Sequence, residues 1–222
     1  MARIARVVAP GYPHHVTQRG NRRQRVFFTD EDYLGYIGLM SEWCGKYGTE
    51  TWAYCLMPNH VHLIVVPWSE DGLRKAIGEA HRRYTRMVNF REGWRGHLWQ
   101  GRFASFPMDR TYVLAAARYV ELNPVRAGLV RSPEEYQWSS AAAHLGGRDD
   151  QLVRVRSLLD MVGDWREFLQ ATANEELHSH IRRHETTGRP LGAKAFIQSL
   201  EKSLDRQLEP QKPGRKTIAA EK

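Results

Sequence analysis

Two periodicities share the first half of the chain. Leu63 to Val66 is an unbroken apolar run closed by Pro67, which predicts a buried strand over His60 to Val66. Pro13 to Arg19 and Glu50 to Met57 predict two further strands, and Pro58-Asn59 is the tight turn between the second and the third. Between the first two strands the spacing lengthens to that of a helix. Tyr33, Tyr36, Ile37, Met40 and Trp43 or Cys44 fall on one stripe, with Asp30 as the expected N-cap and Gly48 as the stop. Glu70 to Phe90 predicts a second helix, with Leu73, Ile77, Tyr84 and Val88 inward and Arg74, Lys75, Arg82, Arg83 and Arg86 mostly outward. A fourth strand is expected within Leu98 to Met108. Asp109 then caps a third helix that ends near Leu122, ahead of Asn123-Pro124, because a residue preceding proline resists helical geometry.

The order β-α-β-β-α-β is that of a ferredoxin-like sandwich, an α+β fold with a four-stranded antiparallel sheet whose first and third strands are central neighbours. Residues 1–145 are expected to form this unit. Ser132 to Ser140 reads as a loop and short helix lying over it, and Gly146 to Asp150 as a linker. Residues 151–208 are expected to be a helical extension, with helices over Arg154 to Leu169, Asn174 to His184 and Ala193 to Leu204. This extension has two readings, a packing appendage or a DNA-binding helix pair. Residues 209–222, rich in Pro, Lys and Arg, are expected to be a disordered basic tail.

Composition narrows the partners. A net charge of +8 and a pI near 9.7, with arginine supplying most of the excess, favour an anionic partner. No basic amphipathic helix faces an exposed apolar stripe, so nucleic acid is expected in preference to a membrane surface. No apolar run is long enough to span a bilayer, and the first residues lack the apolar core of a signal peptide, so a cytoplasmic location is expected. Cys44 and Cys55 are the only cysteines and have neither metal nor redox spacing, which leaves them as buried packing residues.

On a strand, side chains two apart share a face, so His60 and His62 point the same way and offer half of a divalent-metal site. The same spacing also suits a structural pair. On the third helix Tyr119 and Asn123 lie one turn apart. A phenol and an amide so placed can serve as nucleophile and metal ligand, or as a core aromatic and a helix-end residue. Tyr112, seven residues earlier, is a rival nucleophile. His178-Ser179-His180 repeats the histidine spacing on an expected helix, where residues two apart diverge by about 200° and cannot share an ion. His14 or His15 lies on the neighbouring strand and is a further candidate to face the metal. Arg19, Arg22, Arg23 and Arg25 put four cations in seven residues beside the central strand, and with Arg82, Arg83 and Arg102 they are the candidate DNA contacts. Trp99 and Phe103 could stack on unpaired bases or belong to the core.

Met57-Pro58-Asn59-His60-Val61-His62-Leu63, followed by Tyr119-Val120-Glu121-Leu122-Asn123-Pro124-Val125-Arg126-Ala127-Gly128-Leu129-Val130, resembles the single-tyrosine HUH transposases, and the REP-associated tyrosine transposases in particular. His15 to Arg23 and Tyr136 to Ser140 resemble the same group, so the likeness covers about residues 8–145. Ala9-Pro10-Gly11 departs from the Gly-Thr/Ser-Gly element of many members. The resemblance implies a ferredoxin-like fold and a DNA transposase, or single-strand endonuclease, that cuts and rejoins hairpin DNA through a 5′-phosphotyrosine. It further implies Tyr119 as nucleophile, a divalent ion (Mg2+ or Mn2+) at His60 and His62 with Asn123 completing the shell, and a monomer or a homodimer. The alternative is a hairpin-binding protein or regulator that keeps the fold without turnover.

Overall fold

In the computed structural model, which describes residues 4–171 and 175–209, the four expected strands form one sheet. They are β1 (His14–Arg19), β2 (Thr49–Met57), β3 (His60–Pro67) and β4 (Ala104–Pro107), in the order β2-β3-β1-β4 with every pairing antiparallel. β1 and β3 are therefore central, and this is the ferredoxin-like arrangement.

Helices α1 (Asp30–Lys46) and α2 (Gly72–Glu92) cover one face of the sheet, packing on Val16, Leu56, Val61, Leu63 and Val65. The N-cap of α1 is Thr29, one residue before the expected Asp30. Asp32 decides this. Its carboxylate accepts the backbone N–H groups of Phe28 and Thr29, a capping box that needs Thr29 at the cap. Helix α3 (Arg110–Glu121) covers the other face with Cys55, Met57, Ile64 and Phe106, and Asp109 caps it through the Tyr112 N–H, as expected. The chain turns at Leu122 and resumes at once as α4 (Asn123–Arg126). Pro124 is tolerated there because the first turn of a helix has no use for its missing N–H.

The segment expected to lie over the core does so by extending the sheet. Leu56 N–H donates to the Trp138 carbonyl and Cys55 bridges Ser139 beside β2, leading into α5 (Ala141–Leu145). Residues 146–150, expected as a linker, run straight into packed chain. Asp150 accepts the Tyr54 hydroxyl and the N–H groups of Leu152 and Val153, and Leu152, Val153 and Val155 are buried with the α1 layer. The helix expected over 154–169 is two, α6 (Arg156–Leu159) and α7 (Trp165–Gln170), because Asp164 caps a new start at the Glu167 N–H.

Helix α8 (Glu175–Thr187) lies against α3, β4 and β1, on the face of the sheet that carries the histidines. Helix α9 (Lys194–Leu204) joins Val7, Ala9 and Leu208 in a small cluster of its own. The expected basic tail, apart from Glu209, lies outside the described residues. No helix among the described residues is long and apolar enough to cross a membrane.

Candidate metal and tyrosine site

The register of β1 against β3 sets the site. Arg19 is paired with His60, Thr17 with His62 and His15 with Ile64, and residues two apart on a strand share a face. His15, His60 and His62 therefore occupy one patch of the face that α3 covers. The rings of His60 and His62 are 5.0 Å apart between centroids, and those of His15 and His62 are 5.3 Å apart and nearly parallel.

His15 Nε2 and His62 Nδ1 are hydrogen-bonded to each other at 3.1 Å, and His60 is held in a defined state by its own partner. His60 Nδ1 lies 2.6 Å from Asn59 Oδ1, which can only accept, so the proton sits on Nδ1 and the Nε2 lone pair is left for a ligand. Burial lowers the pKa of His60 to about 4, with the Arg19 charge adding to the effect. Burial lowers His15 to about 3, and burial with the neighbouring imidazoles pushes His62 well below its usual value. All three are neutral at pH 7, the state that ligates metal.

Tyr119 reaches this patch from α3. Its ring stands edge-on to His62 at 5.7 Å and to His15 at 6.2 Å, and only 7% of the residue is exposed. The Arg126 guanidinium lies over the Tyr119 ring at 4.2 Å and also donates to the Tyr119 carbonyl. Two residues on, the fully buried Glu121 anchors the end of α3. It accepts from the Ser140 hydroxyl at 2.6 Å and the Trp165 indole at 2.9 Å, and lies 2.6 Å from His144 Nδ1. Asn123 opens α4, half-buried, with its carbonyl bonded to Ala127 N–H. Tyr112, the rival nucleophile, points to a different neighbour, the His180 ring of α8 at 6.4 Å.

A residue that the histidine motif does not include also enters the patch. Glu185, on α8, places Oε1 3.7 Å from His15 Nδ1 and 3.9 Å from His62 Nδ1. With both imidazoles neutral this is not an ion pair, and burial raises the Glu185 carboxyl to about 7 against the opposing pull of Arg19, Arg182 and Arg126. His15, His62 and Glu185 each offer a ligand atom within 4.8 Å of the others. Neutral imidazoles plus a carboxylate fit a first-row divalent ion. The sequence signal for Glu185 was its place four residues after the buried Ile181 on one helical stripe.

The basic loop is fastened beside His60. Gly20 N–H donates to the Asn59 carbonyl and Asn59 Nδ2 to the Arg23 carbonyl. A Cβ on Gly20 would come within 2.3 Å of the Gln24 carbonyl oxygen, so only glycine allows this close return. Arg19, Arg22, Arg23, Arg25 and Arg102 are exposed. Arg82 and Arg83 are on α2, in the opposite layer, the first paired with Glu79 and the second stacked over Trp43. Trp99 and Phe103 are buried in the α1–α2 core, which makes them packing residues and not base-stacking ones. Cys44 and Cys55 are free and buried, as expected.

Three comparisons bear on this geometry. Residues 10–123 match the model of the family described as transposase IS200 like. A Haemophilus influenzae protein named as a REP-associated tyrosine transposase is 26% identical over 130 residues, 53% of this chain and 73% of that protein. A solved structure of a REP-associated tyrosine transposase bound to a REP hairpin superposes with a TM-score of 0.57 at 19% identity, over 68% of this chain and 90% of that one.

Proposed function

Because the chain belongs to the IS200-like transposase family, we propose that it cuts and rejoins single-stranded DNA at hairpins, with Tyr119 as the nucleophile and a divalent ion held by His60 and His62. The observation that carries this is the meeting of a phenol from α3 with imidazoles from the central strand of the sheet.

Tyr119 Oη attacks the scissile phosphorus and loses its proton to solvent. A phosphorus–oxygen ester bond forms on tyrosine while the bond to the 3′ oxygen breaks, and that oxygen takes a proton from solvent and leaves as a 3′-hydroxyl. The aryl phosphate keeps the energy of the broken bond, so a second 3′-hydroxyl can reverse the step and join a new strand. When bound, Mg2+ or Mn2+ would polarise the phosphate and offset the charge that develops on it. Asn59 keeps His60 in the tautomer that ligation needs, and Asn123, at the start of α4, is proposed to complete the shell. Arg126 and the Glu121 network fix the end of α3 and with it the approach of Tyr119.

The DNA track is proposed to run along Arg19, Arg22, Arg23 and Arg25 and past Arg102, next to the imidazoles. Contacts at Arg82 and Arg83 would belong to a separate flank of the DNA, since those residues lie across the sheet. A hairpin oligonucleotide incubated with the protein and Mn2+ is expected to give an adduct that survives denaturant. Binding of the hairpin without any adduct under every divalent ion would favour the regulator reading.

A further inference from the structure

Helix α8 brings to the sheet a carboxylate for which the fold alone gives no reason. Glu185 Oε1 and His15 Nδ1 are both buried, and among the described residues neither has a hydrogen-bond partner. They lie 3.7 Å apart, and His62 Nδ1 is 3.9 Å from the same oxygen and 3.1 Å from His15 Nε2, a hydrogen bond that ligation through His62 Nδ1 would replace. The two separations from the carboxylate oxygen are too long for hydrogen bonds. They are close to the spacing of neighbouring ligands around a first-row divalent ion, whose bonds of about 2.0–2.2 Å hold adjacent donors roughly 3 Å apart. The Glu185 side chain is 23% exposed, but its Oε1 is buried, and a buried carboxylate oxygen without a donor is costly unless a proton or a cation offsets it.

We propose that Glu185 is a carboxylate ligand of the catalytic metal centre, sharing a divalent ion with His62 and His15, so that helix α8 of the C-terminal extension closes the site. The proposal rests on the reading of His62 as a metal ligand. It changes the chemistry of that site, since two imidazoles alone favour softer ions, whereas an added anionic oxygen favours Mn2+ and Mg2+. It also gives the extension a role at the reacting centre. His62 is common to this cluster and to the His60–His62 pair, so the second imidazole is the point on which variants separate.

The test is Mn2+ binding by the full chain without DNA, followed by calorimetry, by electron paramagnetic resonance of the ion, and by the rise in melting temperature that Mn2+ produces. Glu185→Gln is expected to weaken Mn2+ at least about tenfold and to remove most of the Mn2+-induced rise. Each variant is compared with its own metal-free form, so a change in basal stability drops out. Glu185→Ala gives the same comparison if the glutamine variant does not fold. His15→Ala is expected to weaken Mn2+ as well. Wild-type Mn2+ affinity in Glu185→Gln, together with loss of affinity in His62→Ala, would overturn the role of Glu185 and leave the catalytic reading standing. Wild-type affinity in both would overturn both.

Discussion

At the scale of single residues, what was legible in the sequence was what a period of two dictates. His60 and His62 had to share a face, and they do, on a central strand. The orientation of each ring was not legible, because it depends on bonds made by neighbours. Asn59 looked like a turn residue only, yet its side chain sets the proton of His60. Asn59→Ala frees that imidazole to take either tautomer and is expected to weaken Mn2+ binding by about tenfold with little effect on folding, measured by calorimetry. Equal affinity in the variant would show that His60 needs no such partner. Glu185 could not be assigned from sequence for a related reason. Nothing in the sequence analysis singled it out, and the surface that α8 meets follows from packing that no local pattern encodes.

At the scale of elements, strands β1 to β3 and the capping of α3 followed from patterning and turn chemistry. The N-cap of α1, the supposed linker at 146–150 and the break between α6 and α7 did not. Each was decided by a side-chain carboxylate (Asp32, Asp150 and Asp164) bonding backbone N–H groups. Glu121 plays the same part for α3. Glu121→Ala leaves the Trp165 indole buried without its acceptor and the Ser140 hydroxyl with only its longer bond to the Tyr54 carbonyl, and is expected to cost about 3 kcal/mol in urea unfolding. A loss below about 1 kcal/mol would mean that the network is not what anchors α3.

The α1–α2 layer carries its own pH dependence. His81 is buried against Trp99, its Nε2 is 2.8 Å from the Tyr36 hydroxyl, and burial lowers its pKa to about 3. Unfolded, it takes a proton near 6.5. The unfolded state therefore binds more protons below that pH, and stability falls as pH drops from about 6.5 towards the folded value. Between pH 7 and pH 5 this single group is expected to remove about 2 kcal/mol. Chemical unfolding of His81→Gln should show a pH loss smaller by about that amount; an unchanged loss would place the titration elsewhere.

At the scale of the whole molecule, the net charge of +8 announced an anionic partner but not where it lies. The fold divides the candidate arginines between two faces, one beside the imidazoles and one across the sheet. For single-stranded DNA each lost phosphate contact is expected to shallow the slope of log affinity against log salt by about 0.7, so alanine at Arg19, Arg22, Arg23 and Arg25 together should lower it by about 3. The Arg82 and Arg83 pair should change it less. A larger change from that pair would move the DNA track to the α2 face. The helical extension, open in the sequence to a packing or a DNA-reading role, has its α8 packed against α3, β4 and β1, on the face of the sheet that carries the histidines.

In the proposed reaction a phenol on α3 attacks within reach of imidazoles on β3. That step is tested most directly by trapping the protein on a radiolabelled single-stranded hairpin with Mn2+ and resolving the products under denaturing conditions. The wild-type chain is expected to form a covalent protein–DNA species, Tyr119→Phe to form none while keeping hairpin affinity, and His60→Ala to lose it in parallel. A covalent species of undiminished yield in Tyr119→Phe would rule out Tyr119 as the nucleophile.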